Sequence, residues 1–229
     1  MDSRQRQYLD AMGIQRWQWR GDPDERSAES NQGVDVSSPG AVDGLDWDEL
    51  ATAVAACRRC ELCESRTQTV FGVGNQSADC MIIGEAPGAE EDRQGEPFVG
   101  RAGQLLDAML QAVRLDRRTV YIANILKCRP PNNRDPAPEE AVACRDYLQR
   151  QISLVQPRVI LAVGRIAAQN LLQSNQPIGR LRGQEHTFGE DRIPVIVTYH
   201  PAYLLRSPLE KRKTWTDLLR VRQRLEERA

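Results

Sequence analysis

The chain predicts a three-layer α/β/α sandwich with a central four-stranded parallel sheet, on three observations. Four short runs are continuously apolar: CMIIG at 80–84, VYIAN at 120–124, RVILAVG at 158–164 and PVIVTYH at 194–200. Helically spaced segments stand between them, AGQLLDAMLQAV, PEEAVACRDYLQRQI and RIAAQNLL. The runs lack the in–out alternation of a half-exposed strand, so both faces of the sheet must be covered, as when helical crossovers join parallel strands.

The segments before the sheet differ in character. Residues 21–45 are rich in Gly, Pro, Ser and Asp and nearly devoid of large apolar groups. Such a stretch cannot offset its chain entropy by burial, and it reads as a disordered linker. Residues 1–20 form a separate peptide, and an ordered domain is expected over 46–229. From Trp47, the spacing of Leu50, Val54 and a run of alanines predicts a helix that delivers Cys57 and Cys60 at its end. The net charge of −1 conceals an uneven distribution. Residues 21–50 carry nine acidic side chains against Arg26 alone, residues 1–20 are net +2, and the remainder is net +5. A mildly basic domain is compatible with phosphate contact without requiring it.

Cysteine spacing points to a metal centre. Cys57 and Cys60 form a close pair, and Cys128 and Cys144 follow far downstream. The N-terminus, MDSRQRQYLDAMGIQRW, has neither an apolar core nor a small-residue cleavage site, so a cytoplasmic chain with reduced thiols is expected. No apolar run approaches the length of a membrane span. Four thiolates suit either a structural zinc or an iron–sulfur cluster, and spacing alone does not separate them. Cys63 extends the pair to C-x2-C-x2-C, but Thr67 stands where a fourth member of that run would fall. Cys63 and Cys80 read as ordinary small apolar residues.

In parallel sheets, ligands gather beyond the carboxyl ends of the strands. Gly84-Glu85-Ala86-Pro87-Gly88 follows the first strand, Asn124 closes the second, and His200-Pro201 closes the last. Taken singly, Asn124 reads as a turn cap, Phe98 as a core residue, and Glu91 and Asp92 as solvated loop charge. His200 has one competitor, His186, in the polar, loop-like GQEHTFGED.

Together, GEAPGAEED, GEPFVGRAG, YIANILKCRPPNNRDP and TYHPAYLLR resemble the motifs of family 4 uracil-DNA glycosylases, the iron–sulfur branch of that superfamily, over roughly residues 50–220. The resemblance implies that fold, a [4Fe-4S] cluster on Cys57, Cys60, Cys128 and Cys144, and a monofunctional enzyme that removes uracil from single- or double-stranded DNA. It implies that Asn124 reads the uracil edge, that Phe98 stacks on the flipped base, contributing ~1–3 kcal/mol, and that His200 stabilises the departing base. Family 1 enzymes place a water-positioning aspartate where this chain has Ala86, so Glu85 or Asp92 would orient the water, with Glu85 and Ala86 also lining the base site. Arg101, Tyr203, Leu204 and Arg206, together with Lys127 and Arg129, are the candidate DNA contacts. Two other classes compete: a non-catalytic cross-linking relative, whose basic insertion NNRDPAPEE lacks, and a metal-stapled nucleic-acid adaptor.

Residues 4–20, RQRQYLDAMGIQRWQWR, place Leu9, Met12, Ile14, Trp17 and Trp19 ahead of a linker. The segment is similar to the N-terminal peptide of the psi subunit of the DNA polymerase III clamp loader. That similarity implies binding to the chi subunit, with docking onto the chain's own domain as the alternative. With no repeat or coiled-coil pattern, a monomer is expected.

Overall fold

The computed structural model describes residues 42–227. The partner peptide expected at 1–20 and most of the linker expected at 21–45 lie outside the described residues. Ordered chain begins earlier than residue 46: Val42 and Leu45 are buried, and Arg150 Nε donates to the Leu45 carbonyl at 2.7 Å.

Helix α1, Trp47–Ala55, starts where Asp46 accepts hydrogen bonds from the amides of Asp48 and Glu49 while Glu49 reaches back to the Asp46 amide. Its Leu50 and Val54 face the core, and a short α2, Leu62–Ser65, follows. The sheet is built from β1 Val73–Gly74, β2 Cys80–Gly84, β3 Val120–Asn124, β4 Val159–Val163, β5 His186–Phe188 and β6 Ile193–Thr198. Covering or linking them are α3 Ala89–Gln94, α4 Arg101–Ala112, α5 Pro138–Val155, α6 Arg165–Leu172, α7 Ile178–Leu181, α8 Pro201–Arg206 and α9 Lys211–Glu226.

Strand order is β1-β3-β2-β4-β6-β5. The inner four strands are parallel, as expected, and two short antiparallel strands extend the edges to give six. One edge strand corrects the loop expected around His186: residues His186–Phe188 pair with β6, and His186 Nε2 lies 2.8 Å from the Leu181 carbonyl. Helix α9 was not anticipated, although Leu218 and Val221 give it a buried stripe.

All residues of β2, β3 and β4 are buried, and successive side chains enter opposite cores. Met81, Ile83, Tyr121, Ala123, Ile160 and Ala162 pack with α1, α5 and α6 on one face. Cys80, Ile82, Val120, Ile122, Val159 and Leu161 pack with α4 and α9 on the other, so Cys80 is the core residue it was expected to be. Lys127 corrects another expectation. It is almost wholly buried, and its ammonium donates to the Asn124 carbonyl at 3.0 Å and to Gln151 Oε1 at 2.6 Å, which keeps it off the surface.

The parallel register sets Gly84 beside Asn124. The pairing continues past the strands, where the amides of Ile125 and Leu126 donate to the carbonyls of Gly84 and Glu85 at 3.0 Å. The GEAPG loop is thereby fixed to the segment that carries Asn124. No helix among the described residues is long and apolar enough to cross a membrane.

Candidate active site

The site assembles where β2, β3 and β6 end. Asn124 is buried, and its Oδ1 has no hydrogen-bond partner among the described residues. A buried acceptor left unpaired costs about 1–3 kcal/mol, so it marks a place where a donor is missing. A Cβ on Gly84 would lie 2.5 Å from that oxygen and 2.6 Å from Phe98 Cζ. Only glycine at the end of β2 leaves room for the amide and the ring together.

Phe98 stacks on His200, with centroids 5.6 Å apart and planes at 30°. Its backbone has φ +55°, which bulky side chains rarely adopt. Several neighbours hold it there. Arg117 donates to the carbonyls of Pro97 and Phe98 while Asp107 orients the guanidinium at 2.7 Å. Gly103 lets the first turn of α4 close on the Phe98 carbonyl, since a Cβ there would come within 1.7 Å of that oxygen.

Glu91 links the two loops that frame the site. One carboxylate oxygen accepts from the Gly88 amide at 3.1 Å, and the other from the amides of Val99 and Gly100 at 3.0 and 3.2 Å. Read from sequence as solvated charge, it is instead the bolt between GEAPG and PFVG. Asp92 is the opposite case. Both its oxygens accept from the Thr67 amide, at 2.9 and 3.1 Å, and its side chain is buried. It ties α3 to the segment before β1, so the expectation that it orients water is not met by its placement.

His200 precedes Pro201 at the start of α8, and its Nδ1 accepts from the Ala202 amide at 3.2 Å. An accepting Nδ1 leaves the neutral ring's proton on Nε2. Burial pushes the imidazole down to about 4, with Arg206 adding to the effect and Glu91 opposing it. The ring is therefore neutral and able to donate at ordinary pH. Gly164, at φ +100°, gives the ring space: a Cβ there would meet His200 Cβ at 3.1 Å.

Glu85 follows β2, and among the described residues its carboxyl makes no hydrogen bond. Burial lifts it to about 7, reinforced by Asp135 and opposed by Arg165. A carboxyl balanced near neutrality can act as a hydrogen-bond acceptor or a base. Ala86 beside it is half-buried against the core and offers no polar side chain.

Among the candidate DNA contacts, Arg101, Tyr203 and Arg206 are exposed, and Tyr203 packs against Tyr199 with centroids 5.0 Å apart. Leu204 is fully buried in the core behind α8, which removes it as a contact; Leu205 is the exposed leucine of that turn. Arg129 is half-buried, its Nε donating to Asn133 Oδ1 at 2.7 Å.

The cysteines Cys57, Cys60, Cys128 and Cys144 line one small cavity together with Arg66, Lys127 and Tyr147. Cys63, expected to stand apart, lines it too. All are free thiols. Arg66 Nη1 donates to Cys128 Sγ at 3.0 Å, the Lys127 amide to Cys144 Sγ at 3.3 Å, and the Arg59 amide to Cys57 Sγ at 3.5 Å. Burial pushes the Cys144 thiol up to about 12 and raises Cys60 and Cys128. Among the described residues, no three His, Cys, Asp or Glu side chains converge as one metal ion requires.

Residues 71–219 match the model of the uracil DNA glycosylase superfamily. A type-4 uracil-DNA glycosylase of Archaeoglobus fulgidus is 44% identical over 180 residues, covering 76% of this chain and 90% of that protein. The chain belongs to the uracil-DNA glycosylase superfamily, in its type-4 family. The type-4 uracil-DNA glycosylase of Thermotoga maritima is also 44% identical, over 69% of this chain and 82% of that protein. A type-5 uracil-DNA glycosylase of Pyrobaculum aerophilum is more distant, at 26% over 69% of this chain and 83% of that protein. The sequence motifs that carried this resemblance supply the glycines, Phe98, Asn124 and His200. They do not disclose the roles of Glu91 and Arg117, which depend on partners three to twenty residues away.

Replacing Glu91 with alanine tests its bridging role. Hydrogen bonds to charged groups contribute about 1.5–3 kcal/mol, so Glu91→Ala should lower stability by about 2 kcal/mol in urea unfolding and remove hydrogen-exchange protection from the Val99 and Gly100 amides. A solvated loop charge would instead change stability by less than about 0.5 kcal/mol and leave those amides protected.

Proposed function

We infer that this protein hydrolyses the N-glycosidic bond of deoxyuridine in single- or double-stranded DNA, releasing uracil and leaving an abasic site for base-excision repair. The observation that carries this reading is the unpaired, buried Asn124 Oδ1 at the edge of the Phe98 ring. Uracil N3–H is the donor that oxygen lacks. Cytosine has no hydrogen at N3, so it would leave the oxygen unpaired, the kind of mismatch that gives large discrimination.

The reaction requires the nucleotide to leave the base stack, at a cost of a few kcal/mol in duplex. Phe98 then stacks on the base and Asn124 reads its edge. As the C1′–N1 bond breaks, its electron pair passes to the uracil ring, and the Nε2 proton of His200 supports the charge growing on O2. Neutral His200 donates without placing a second proton in competition with the base. Water adds to C1′ on the opposite side of the departing base, and ionised Glu85 orients it and takes its proton. The Lys127 amine is held by two acceptors, in keeping with hydrolysis without a Schiff base.

A [4Fe-4S] cluster on Cys57, Cys60, Cys128 and Cys144 is supported by the four thiols lining one cavity and by the N–H and guanidinium hydrogen bonds that the Cys57, Cys128 and Cys144 sulfurs accept, of the kind that stabilise cluster thiolates. Bound there, the cluster would supply a structural tie between the end of α1, the segment after β3, and α5. Arg101, Tyr203 and Arg206 are proposed to meet the DNA backbone. Recruitment by the chi subunit through residues 4–20 is supported by the apolar and tryptophan pattern of that segment alone. A monomeric, cytoplasmic enzyme completes the reading.

Single-turnover release of uracil tests the chemical roles. His200→Ala should slow release by about 10²- to 10³-fold, as loss of one oxyanion donor does. With Glu85 poised near 7 and active as the carboxylate, the rate should rise with pH through about 7 and then level, and Glu85→Gln should abolish that rise. Neutral His200, shifted to about 4, should add no step near its ordinary value. A His200→Ala variant as fast as wild type, or a rise that persists in Glu85→Gln, would refute these assignments.

Metal analysis of anaerobically purified protein is the second test. About four iron and four sulfide per chain are expected, lost in Cys128→Ser and retained in Cys63→Ser. Stoichiometric zinc, or loss of iron in Cys63→Ser, would overturn the assigned ligand set.

A further inference from the structure

On the face of the sheet opposite the cysteines, α4 and α9 diverge and leave an apolar groove of about 400 Å³. Leu105 and Met109, one turn apart on α4, form one wall, Trp215 on α9 forms the other, and Leu204 is the floor. Trp215 is 44% exposed, and Leu219 extends the apolar surface along the next turn of α9 at 43%. Large side chains left half in water around a concave, apolar trough mark an interaction surface more than a surface at rest.

The rim indicates the kind of partner. Lys211 and Arg212 stand exposed at the groove's edge. Neighbouring cations are already matched, Lys213 with Glu210 at 2.8 Å and Arg182 with Asp217 at 2.7 Å. Among the described residues no carboxylate is ion-paired with Lys211 or Arg212. Two uncompensated cations beside an apolar trough complement a segment that carries large apolar side chains on one face and carboxylates on its flank. A nucleic-acid backbone would find cations only at the rim; within the trough the Thr214 hydroxyl and the Trp215 indole N–H are the only side-chain donors on an otherwise apolar lining, which favours a protein occupant.

We propose that the α4–α9 groove docks an acidic, amphipathic segment of a partner protein, with its apolar side chains against Leu105, Met109 and Trp215 and its carboxylates on Lys211 and Arg212. The surface is separate from the residues that read and release the base, so docking is compatible with turnover.

A random dodecapeptide library displayed on phage, panned against the full chain, tests this. Selected peptides should combine acidic with aromatic or aliphatic residues. Synthesised with a fluorescein label, they should bind at least about ten-fold more weakly to Trp215→Ser and to the Lys211→Glu, Arg212→Glu double variant, and more weakly as salt rises. Uracil release by both variants should match wild type. No enrichment, a neutral or basic consensus, or binding indifferent to these substitutions would overturn the proposal. It would equally fall if the variants weakened binding to uracil-free DNA, which would make the groove a nucleic-acid surface, or if Trp215→Ser converted a dimer to a monomer, which would make a second copy the occupant.

Discussion

Phe98 occupies a backbone conformation that costs a bulky residue about 1–3 kcal/mol, and the site depends on its being kept there. The guanidinium of Arg117 takes the carbonyls of Pro97 and Phe98, Glu91 takes the amides of Val99 and Gly100, and Gly103 removes the Cβ that would displace the Phe98 oxygen. The Pro97 and Phe98 carbonyls and the Val99 and Gly100 amides are all engaged, so relaxing the backbone would break several bonds at once. The ring is held against His200 and beside Asn124 before any substrate arrives. Such preorganisation is what an enzyme needs where charge develops on a leaving group.

The sheet supplies the other half of the constraint. Parallel register puts Gly84 beside Asn124, and two further backbone bonds carry the pairing into the GEAPG loop. Glu91 then passes the same positional information to the PFVG loop. Behind Asn124, the buried Lys127 ammonium grips the Asn124 carbonyl, while the next residue, Cys128, enters the thiol-lined cavity. A cluster in that cavity would reinforce the strand end that presents the buried, unpaired Asn124 amide. The Asn124 amide and the thiol-lined cavity are thus linked through one short segment, residues 124–128.

The four parallel strands were legible because continuous burial on both faces leaves unbroken apolar runs, and Asn124 and His200 were legible because they end those runs in recognisable motifs. The edge strand His186–Phe188 was not, since edge strands need no apolar run and its sequence is polar. Asp92, Leu204 and Lys127 show a different limit. Each has the residue type and neighbourhood expected of a site residue, but which way it points is decided by partners distant in sequence: Thr67 for Asp92, the second core for Leu204, Gln151 for Lys127. Glu91 was read as solvated charge and Arg117 went unnoticed for the same reason, because their targets include backbone atoms of another loop and backbone atoms leave no trace in a sequence pattern.

Gly103→Ala tests the dependence on Phe98 most directly. In an ordinary helix interior alanine would stabilise by about 0.8–1.0 kcal/mol relative to glycine, whereas here its Cβ would fall 1.7 Å from the Phe98 carbonyl and force that peptide to move. Single-turnover release of uracil should drop by at least about ten-fold in a variant whose circular dichroism still reports the native fold. An unchanged rate, with a melting temperature raised as helix propensity alone predicts, would show that the chemistry does not rely on the fixed Phe98 backbone.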